Sequence, residues 1–263
     1  ISPTELNKIE AERQKVIKEK NDKKIANNST FEFNNYKSKI IYNNKSYNAN
    51  IRLKGDRIVH WNEKNKISYR INIRKNETIM GLKKFSLQKP RVRNYIHEWI
   101  FHELNSENGL IKLKYDFINL YINNKDMGIY VVEEFFTKHI LEKNKRKNGP
   151  IFSVQESFET KFVNSKFEVY DKRTWLNDAN IVLTKNFLNK LKLFINSKVG
   201  ASETLDLDMW SSYLATTDLL RTYHGANLKS QKFYYNIGTN KFEPVPFDGH
   251  FWNPILSHAS KED

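Results

Sequence analysis

Cysteine is absent from the 263 residues of this chain. Disulfides, thiolate nucleophiles and cysteine-ligated zinc or iron–sulfur sites are therefore excluded. No apolar run approaches the roughly 18 residues that a membrane-spanning helix needs, so no transmembrane segment is predicted. The signatures G-x-x-x-x-G-K-[ST], G-x-G-x-x-G, H-E-x-x-H and G-x-S-x-G are also missing. P-loop, dinucleotide-binding, zincin and serine-hydrolase chemistry thus lack their usual signals.

The sequence is compatible with two cellular locations. A chain without cysteine suits a secreted or envelope protein, but many cytoplasmic proteins of lysine- and asparagine-rich proteomes lack it too. Residue 1 is Ile, which is compatible with the removal of a leader or anchor. An extracellular or cell-envelope location is the expectation, with a cytoplasmic one as the alternative.

Positive charge is what the chain has in excess. It carries 44 Lys and Arg against 30 Asp and Glu, for a formal net charge of +14. This balance favours anionic partners such as nucleotides, acidic proteins, phosphoglycans or nucleic acid, without choosing among them. Much of the lysine lies in turns such as "KNKRKNG", where a solvated surface explains it equally well. No RNA-binding aromatic strand motif is present, so nucleic acid is not the expected partner.

The first half of the chain predicts one helix followed by strands. Residues 2–26 have the pattern of a charged helix with a capping box at Ser2 and Glu5, and we interpret residues 1–30 as a peripheral arm. From residue 31 to 73, short alternating segments separated by Asn/Lys turns predict antiparallel strands with one buried face.

A buried-face helix is expected after these strands, because apolar residues recur there at helical spacing. They are Val92, Tyr95, Ile96, Trp99, Ile100 and Leu104. A hairpin then ends in the carboxylate pair Glu133 and Glu134, of which only one can face a given cleft, since adjacent strand residues point to opposite faces.

The second half of the chain is more helical and closes with the strand pattern "KFEPVPFD". The whole pattern predicts an α+β fold with an antiparallel sheet in the N-terminal lobe and a mostly helical C-terminal lobe. No repeat or flexible linker divides the chain. Residues 31–263 are interpreted as a single domain, with a soft lobe boundary near residues 143–150.

Several segments, taken in order, resemble the CotH (spore-coat protein H) kinase-like family in arrangement and spacing. They are "IRLKGDRIVHW", "KISYRINI", "IMGLKKFSLQKPRVRNYIHEWIFHEL", "INLYINNKDMGIYVVEEFF", "NGPIF" and "KFYYNIGTNKFEPVPFDG". The likeness runs from about Phe31 to Asn253. It implies a two-lobed, atypical protein-kinase-like fold that binds ATP with Mg²⁺ and, in active members, phosphorylates secreted or surface proteins.

The resemblance places the family's motifs on particular residues of this chain. Its basic strand and turn fall on residues 52–56, and its K-K-S-Y-R run falls on residues 66–70. Its glutamate after the hairpin falls on Glu134, and its P-W-D-x-D falls on residues 246–250. The nucleotide-binding candidates are Lys54, Arg70, Lys66, Arg52, Glu134, Phe247 and Lys229.

Asp248 is the leading candidate for metal binding, with Asn227 as a second ligand. Phosphoryl transfer needs a divalent cation held by carboxylate or amide oxygens, and basic side chains on the phosphates. Asp248 is expected to end an apolar strand directly before a glycine, where its carboxylate can reach a cleft. The alternative is an aspartate that caps a turn. The proton acceptor is harder to choose: Asp248, His224 and Asp218 are the catalytic candidates.

Some residues depart from the family's pattern. Phe247 replaces its tryptophan and His250 its second aspartate, while "YHGANLKSQ" offers no carboxylate where the family usually has a further active-site aspartate. Imidazole is a poor inner-shell ligand for Mg²⁺, so His250 is expected to play a supporting part. Three functions remain: an ATP–Mg-dependent protein kinase with an unidentified acceptor protein, an inactive nucleotide-binding pseudokinase, or a basic module that binds polyanions.

Overall fold

The computed structural model describes residues 1–21, 32–55, 57–154, 167–227 and 230–250. These residues form two compact units, each made of two chain segments. Unit 1 comprises Ile1–Tyr95 and Lys114–Phe135, and unit 2 comprises Ile96–Leu113 and the chain from Phe136 onward. The chain therefore passes between the units three times, after Tyr95, Leu113 and Phe135, whereas the sequence suggested one soft lobe boundary near residues 143–150.

Unit 1 is built on an antiparallel sheet. Its described elements are helix α1 (Pro3–Asn21) and strands β1 (Tyr36–Tyr42), β2 (Lys45–Leu53), β3 (Tyr69–Ile73), β4 (Lys84–Gln88), β5 (Tyr115–Ile122) and β6 (Lys125–Glu134). The strands lie in the order β1-β2-β3-β4-β6-β5. The predicted antiparallel strands are confirmed, and their alternation gives the sheet one apolar face.

Helix α1 is part of the core of unit 1. Ile9 and Val16 are buried in the same cluster as Ile51 of β2 and Ile71 of β3. Arg13 is buried as well, and its guanidinium donates a hydrogen bond of 2.5 Å to the carbonyl oxygen of Trp61. The interpretation of this helix as a peripheral arm is therefore wrong, because three consecutive turns of it bury a side chain.

Unit 2 is mostly helical, with a small sheet. Its described helices are α2 (His97–Glu107), α3 (Lys138–Lys143), α4 (Lys172–Trp175), α5 (Ile181–Ile195), α6 (Ala201–Thr204), α7 (Leu207–Leu220) and α8 (Tyr223–Ala226). Strands β7 (Ile151–Val154), β8 (Phe167–Val169), β9 (Lys232–Asn236) and β10 (Lys241–Pro244) form a sheet in the order β10-β9-β7-β8. The mixed α and β composition predicted from sequence is confirmed.

Helix α2 buries a different face from the one its apolar spacing predicted. Its buried residues are Glu98, Phe101, His102 and Asn105, whereas Trp99 is exposed. The helix begins only at His97, because Asn94 and Tyr95 before it adopt left-handed φ angles of 53° and 61°. Glu98 and His102 lie 3.3 Å apart, four residues along the helix, so a polar pair occupies the buried face.

Candidate functional sites

A row of polar side chains crosses the sheet of unit 1. Arg52 lies opposite Arg70, Arg70 lies opposite Ser86, and Ser86 lies opposite Glu133. Directly opposed residues of neighbouring strands share a face, so these four side chains are on the face that does not carry the apolar core. Strand register alone thus brings two arginines and a glutamate into one row.

The carboxylate of Glu133 is the centre of a buried ion-pair cluster on this face. Lys54, which follows the end of β2, approaches it with Nζ at 2.6 Å from Oε2, and the two side chains are only 8% and 1% exposed. Gln88 and Ser86 donate hydrogen bonds of 3.1 and 3.2 Å to the same carboxylate. The Nε atom of Arg93 lies 3.6 Å from Oε1.

The charges of this cluster shift the pKa values of both partners. Burial alone would raise the pKa of Glu133, but the charges of Lys54 and Arg93 together hold it well below its ordinary value. Burial lowers the pKa of Lys54 to about 8 despite the attraction of Glu133, and Arg93 and Arg70 add to the lowering. The cluster therefore gathers more positive than negative charge around Glu133, which suits an anionic ligand.

A glycine lets a histidine pack beside Lys54. Gly55 has a φ of +99°, and a Cβ atom there would lie 2.1 Å from the ring of His60. Only glycine fits both the backbone conformation and the contact. Burial, followed by the charge of Lys54, holds the pKa of His60 well below its ordinary value, and its Nδ1 lies 3.0 Å from the hydroxyl of Ser68. His60 is therefore uncharged near neutral pH, and its ring packs at the side of the cluster.

The carboxylate that pairs with Lys54 is not the residue on which the family's glutamate falls. Glu133, not Glu134, is the carboxylate at 2.6 Å. Glu134 points the other way along β6, where its Oε2 accepts a hydrogen bond of 2.8 Å from the backbone N–H of Lys114. The alternation of strand residues was correctly expected to separate the two glutamates, but sequence could not tell which of them faces the lysine.

The other nucleotide-binding candidates of unit 1 contact aromatic rings or the backbone. The guanidinium of Arg70 lies 4.1 Å from the centre of the Phe135 ring. Arg52 is half-buried, and its guanidinium donates to the backbone carbonyl of Leu53 at 3.1 Å. The ammonium group of Lys66 lies 5.5 Å from the centre of the Tyr130 ring.

Unit 2 carries a second polar cluster, made of His224, Asp248 and His250. The Nδ1 of His224 lies 3.1 Å from Oδ2 of Asp248, and the Nδ1 of His250 lies 3.2 Å from Oδ1. The two imidazole rings are 4.2 Å apart between centroids and inclined by 35°. Ser230 donates a hydrogen bond of 3.4 Å to Oδ2 of Asp248.

Two glycines allow the chain to assemble this cluster. A Cβ atom on Gly225, directly after His224, would lie 2.8 Å from the carbonyl oxygen of Phe247, so the short helix α8 can approach the backbone before Asp248. A Cβ atom on Gly249 would lie 2.1 Å from the ring of Phe101. Asp248 between them has a φ of 61°, in the left-handed region that aspartate tolerates better than most residues.

The position of Asp248 corrects one expectation. Strand β10 ends at Pro244, so Asp248 does not end a strand. The rule that adjacent strand residues face opposite ways therefore does not apply to Asp248. Pro244 and Pro246 lack backbone N–H groups, which limits further pairing. The side chains of His250 and Asp248 meet through the left-handed turn at Asp248.

The remaining candidates of unit 2 are more scattered. Phe247 is half-buried against Phe136, with ring centroids 5.1 Å apart, and the ammonium group of Lys232 lies 5.3 Å from its ring centre. Asp218 on α7 and Asn227 after α8 are both exposed. Lys229 lies outside the described residues.

The donor atoms around Asp248 do not fit the Mg²⁺ ion that the family resemblance implied. Magnesium requires near-octahedral oxygen ligands, whereas two of the three converging side chains here, His224 and His250, offer imidazole nitrogen. Imidazole together with carboxylate suits divalent transition metals. The chemistry of the donor set, rather than the position of Asp248, disfavours a magnesium site of the expected kind.

Comparison with known proteins gives the class of this chain. Residues 51–255 match the family described as CotH kinase protein. Because the match covers more than half of the chain, the protein belongs to the CotH kinase family, which confirms the resemblance. The family membership suggests a kinase-like protein with nucleotide and metal use.

Among curated proteins, the chain is similar to the inner spore coat protein H of Bacillus subtilis (strain 168). The two are 23% identical over 222 residues. The alignment covers 78% of this chain and 59% of the relative, so the chain spans less than two thirds of the protein it matches. Within the described residues, none of the helices combines the length and apolar character needed to cross a membrane.

Proposed function

We propose that this protein is an atypical, two-lobed protein kinase that transfers the γ-phosphate of ATP to a hydroxyl group of a surface or coat protein. The observation that carries the proposal is the buried Lys54–Glu133 pair of 2.6 Å, with Arg93 and Arg70 beside it. Protein kinases use a lysine–glutamate pair to position nucleotide phosphates. Membership of the CotH kinase family supports the same function.

Lys54, Arg70 and Arg52 are the groups of unit 1 that we assign to phosphate binding. The cluster around Glu133 holds at least two cations close to one carboxylate, and a phosphate would balance the excess. An anionic ligand would also favour the charged form of Lys54, whose pKa of about 8 lies close to physiological pH. The pair is therefore preorganised for phosphate rather than only structural.

The transfer step needs a proton acceptor, and unit 2 offers it near Asp248. The acceptor hydroxyl gives its proton to a side chain while its oxygen forms a bond to the γ-phosphorus. The bond from that phosphorus to the β–γ bridging oxygen breaks, and ADP leaves. Asp248 and His224, 3.1 Å apart, are the groups that could take the proton. Asp218 is the third candidate, and Phe247 is a candidate to stack on the base.

A nucleotide-binding pseudokinase is the second candidate. The observation that favours it is the segment from Tyr223 to Gln231, which contains His224 but no carboxylate. Kinase-type transfer commonly uses an aspartate to accept the hydroxyl proton. Binding without turnover would follow if neither His224 nor Asp248 replaces it.

The location we propose is the cell envelope or spore coat. The support is the name of the similar protein, an inner spore coat protein of Bacillus subtilis. The net charge of +14 would suit association with anionic coat or envelope components.

Thermal unfolding of the full chain with and without ATP tests the nucleotide function. ATP at a hundred times its dissociation constant should add about 2.7 kcal/mol of stability. Lys54→Met should abolish this gain. Lys89→Met is the matched control, because Lys89 is also a buried lysine of unit 1 but pairs with Glu63, at 2.8 Å. An equal ATP effect in both variants would refute the role of Lys54.

Intact-mass measurement after incubation with ATP and Mn²⁺ or Mg²⁺ separates the candidates further. A gain of phosphate on the chain or on an added serine-rich protein supports the kinase. An ATP-dependent rise in stability without any transfer supports the pseudokinase. No ATP response, combined with saturable heparin binding at physiological salt, would favour a polyanion-binding module instead.

A further inference from the structure

We propose that His224, Asp248 and His250 form a binding site for a divalent transition-metal ion such as Mn²⁺, Co²⁺ or Zn²⁺, and that this site discriminates against Mg²⁺. One ligand atom from each of the three side chains lies within 4.8 Å of the others. Metal–ligand bonds to nitrogen and oxygen are about 2.0–2.2 Å long. Ligand atoms on one ion therefore lie about 3–4 Å apart, and the two histidine–carboxylate distances of 3.1 and 3.2 Å fall in that range.

The ligand types determine the class of ion. Two imidazoles and one carboxylate are a recognised set for first-row transition metals, and they leave coordination positions for other oxygen ligands. Mg²⁺ loses its water reluctantly and prefers oxygen, so two nitrogen ligands disfavour it. Affinity for nitrogen and oxygen sites rises from Mn²⁺ towards Co²⁺ and Zn²⁺. The expected order is Mg²⁺ weakest, Mn²⁺ intermediate, and Co²⁺ and Zn²⁺ tightest.

The surroundings hold the ligands in place. The side chains of His224 and Asp248 are 7% and 14% exposed, so they are shielded while remaining accessible to a small ion. Ser230 reaches both, with its hydroxyl 3.5 Å from Nδ1 of His224 and 3.4 Å from Oδ2 of Asp248. Lys232 in turn donates a 2.7 Å hydrogen bond to the carbonyl of Ser230. A hydrogen bond such as that from Ser230 to Asp248 orients a metal-binding carboxylate.

The backbone also supports the inference. The left-handed φ of 61° at Asp248, a conformation that aspartate tolerates better than most residues, turns the chain at this point. Without the turn at Asp248, the carboxylate would not lie between the two imidazoles. The close packing of Gly249 against Phe101 fixes the turn from the other side.

The same distances would also suit an aspartate that accepts hydrogen bonds from two histidines with no metal. This alternative predicts no specific ion binding and is decided by the experiment below. The metal inference does not depend on the nucleotide function, since the site is complete within unit 2. It does exclude one role: His224 and Asp248, when bound to the ion, cannot also accept the proton of the acceptor hydroxyl, which leaves Asp218 among the candidates named above.

The direct test is calorimetric titration of the metal-free full chain, without a polyhistidine tag, with Mg²⁺, Mn²⁺, Co²⁺ and Zn²⁺. We expect one equivalent of Zn²⁺ and of Co²⁺ to bind, with Mg²⁺ weaker by at least about tenfold. Visible absorption of the Co²⁺ form and nitrogen coupling in pulsed EPR of the Mn²⁺ form should both report imidazole ligation. These spectra need no variant, so they remain decisive if a variant fails to fold.

Substitution locates the ion. His224→Gln and His250→Gln should each weaken Zn²⁺ binding by at least about tenfold, since even loss of an outer-shell partner costs that much. His139→Gln is the matched control, because His139 also has its Nδ1 3.1 Å from a carboxylate, that of Glu142, but on an exposed helix face. Its Zn²⁺ affinity should equal that of the wild type.

Absence of Zn²⁺ and Co²⁺ binding would overturn the inference in favour of the metal-free aspartate. Three further results would also overturn it. One is Mg²⁺ binding as tight as Zn²⁺ binding, which would indicate an oxygen-only site at Asp248. The second is Zn²⁺ affinity unchanged in both His224→Gln and His250→Gln. The third is a Mn²⁺ spectrum without nitrogen coupling. None of these depends on ATP, so failure of the metal site and failure of the proposed kinase function can be told apart.

Discussion

The Lys54–Glu133 cluster of unit 1 and the His224–Asp248–His250 cluster of unit 2 differ in what holds their side chains. Glu133 lies on a strand, and Ser86 opposite it and Gln88 nearby donate to it from the neighbouring strand. Asp248 follows a strand by four residues and has a left-handed backbone. The first cluster is fixed by the sheet, whereas the second depends on a turn and two glycines.

This difference predicts whether a substitution in each cluster changes mainly the stability of the fold or mainly ligand binding. Removing one partner from a buried ion pair leaves a charge without compensation and costs several kcal/mol. The cluster of unit 2 lies at a turn outside the sheet and holds no pair of permanently charged partners, so it can be changed with less damage to the fold. Unit 1 should therefore respond to substitution mainly in stability, and the cluster of unit 2 mainly in ligand binding.

The largest effect is expected from Glu133→Gln, which keeps the shape of the side chain and removes its charge. Lys54 and Arg93 then face each other without the carboxylate. We expect a loss of about 3 kcal/mol in the free energy of unfolding at pH 7. The lower end of the usual range applies because Lys54, with a pKa of about 8, can lose its proton. Urea unfolding followed by circular dichroism measures the loss.

The same change of carboxylate to amide in unit 2 sharpens the comparison. Asp248→Asn should cost only about 1 kcal/mol, the usual value of a hydrogen bond, because it weakens contacts with two histidines and leaves no lysine or arginine buried without its partner. Equal losses in the free energy of unfolding from Glu133→Gln and Asp248→Asn would contradict the expectation that the cluster of unit 1 contributes more to stability than the cluster of unit 2.

Gly249→Ala should be less damaging than Glu133→Gln and at least as damaging as Asp248→Asn. The new Cβ atom would lie 2.1 Å from the ring of the fully buried Phe101, so the ring or the turn must move. Overpacking of this kind typically costs about 1–3 kcal/mol, and Zn²⁺ affinity should fall with it. Gly238→Ala is the control, since only side-chain atoms lie near its Cβ position, the nearest at 3.2 Å. If Gly249→Ala leaves both the free energy of unfolding and the Zn²⁺ affinity unchanged, the turn can shift to admit the new methyl group.

The smallest expected effect is in the pH dependence of stability. The folded-state pKa of Glu133 is depressed, so the stability that its charge provides is present above the unfolded pKa of about 4.3 and is lost as the pH falls. Between pH 7 and pH 4 the advantage of the wild type over Glu133→Gln should shrink by about 0.6 kcal/mol. Urea unfolding of both proteins at the two pH values gives this difference. If the stability advantage of the wild type instead grows on acidification, the pKa of Glu133 is not lowered in the folded state.

Strand alternation made much of unit 1 predictable. The alternating segments between Tyr36 and Ile73 gave the antiparallel strands, because one face of that sheet is apolar and a period of two is visible in the sequence. The same rule separated Glu133 from Glu134. It could not choose between them, because the choice depends on which face of β6 carries the polar row, and that follows from pairing with β4.

Other features could not be obtained from local patterns. The apolar spacing around Trp99 was misleading, because a buried Glu98–His102 pair took the inner face of α2. His224 and Asp248 were named separately, as a base and a metal ligand, but their approach requires Gly225 to admit the backbone of a segment more than twenty residues away. Pairing across such a separation has no signal in a single sequence.

The position of β2 has a consequence for where this folding unit can be cut. The family match begins at residue 51, inside β2, which runs from Lys45 to Leu53. A protein trimmed to the matched residues would lose α1, β1 and most of β2, and β3 would become the edge of the sheet. Its apolar face would lose the cover that Ile9 and Val16 provide. An uncovered edge strand of this kind invites pairing between molecules, so such a fragment should aggregate rather than fold.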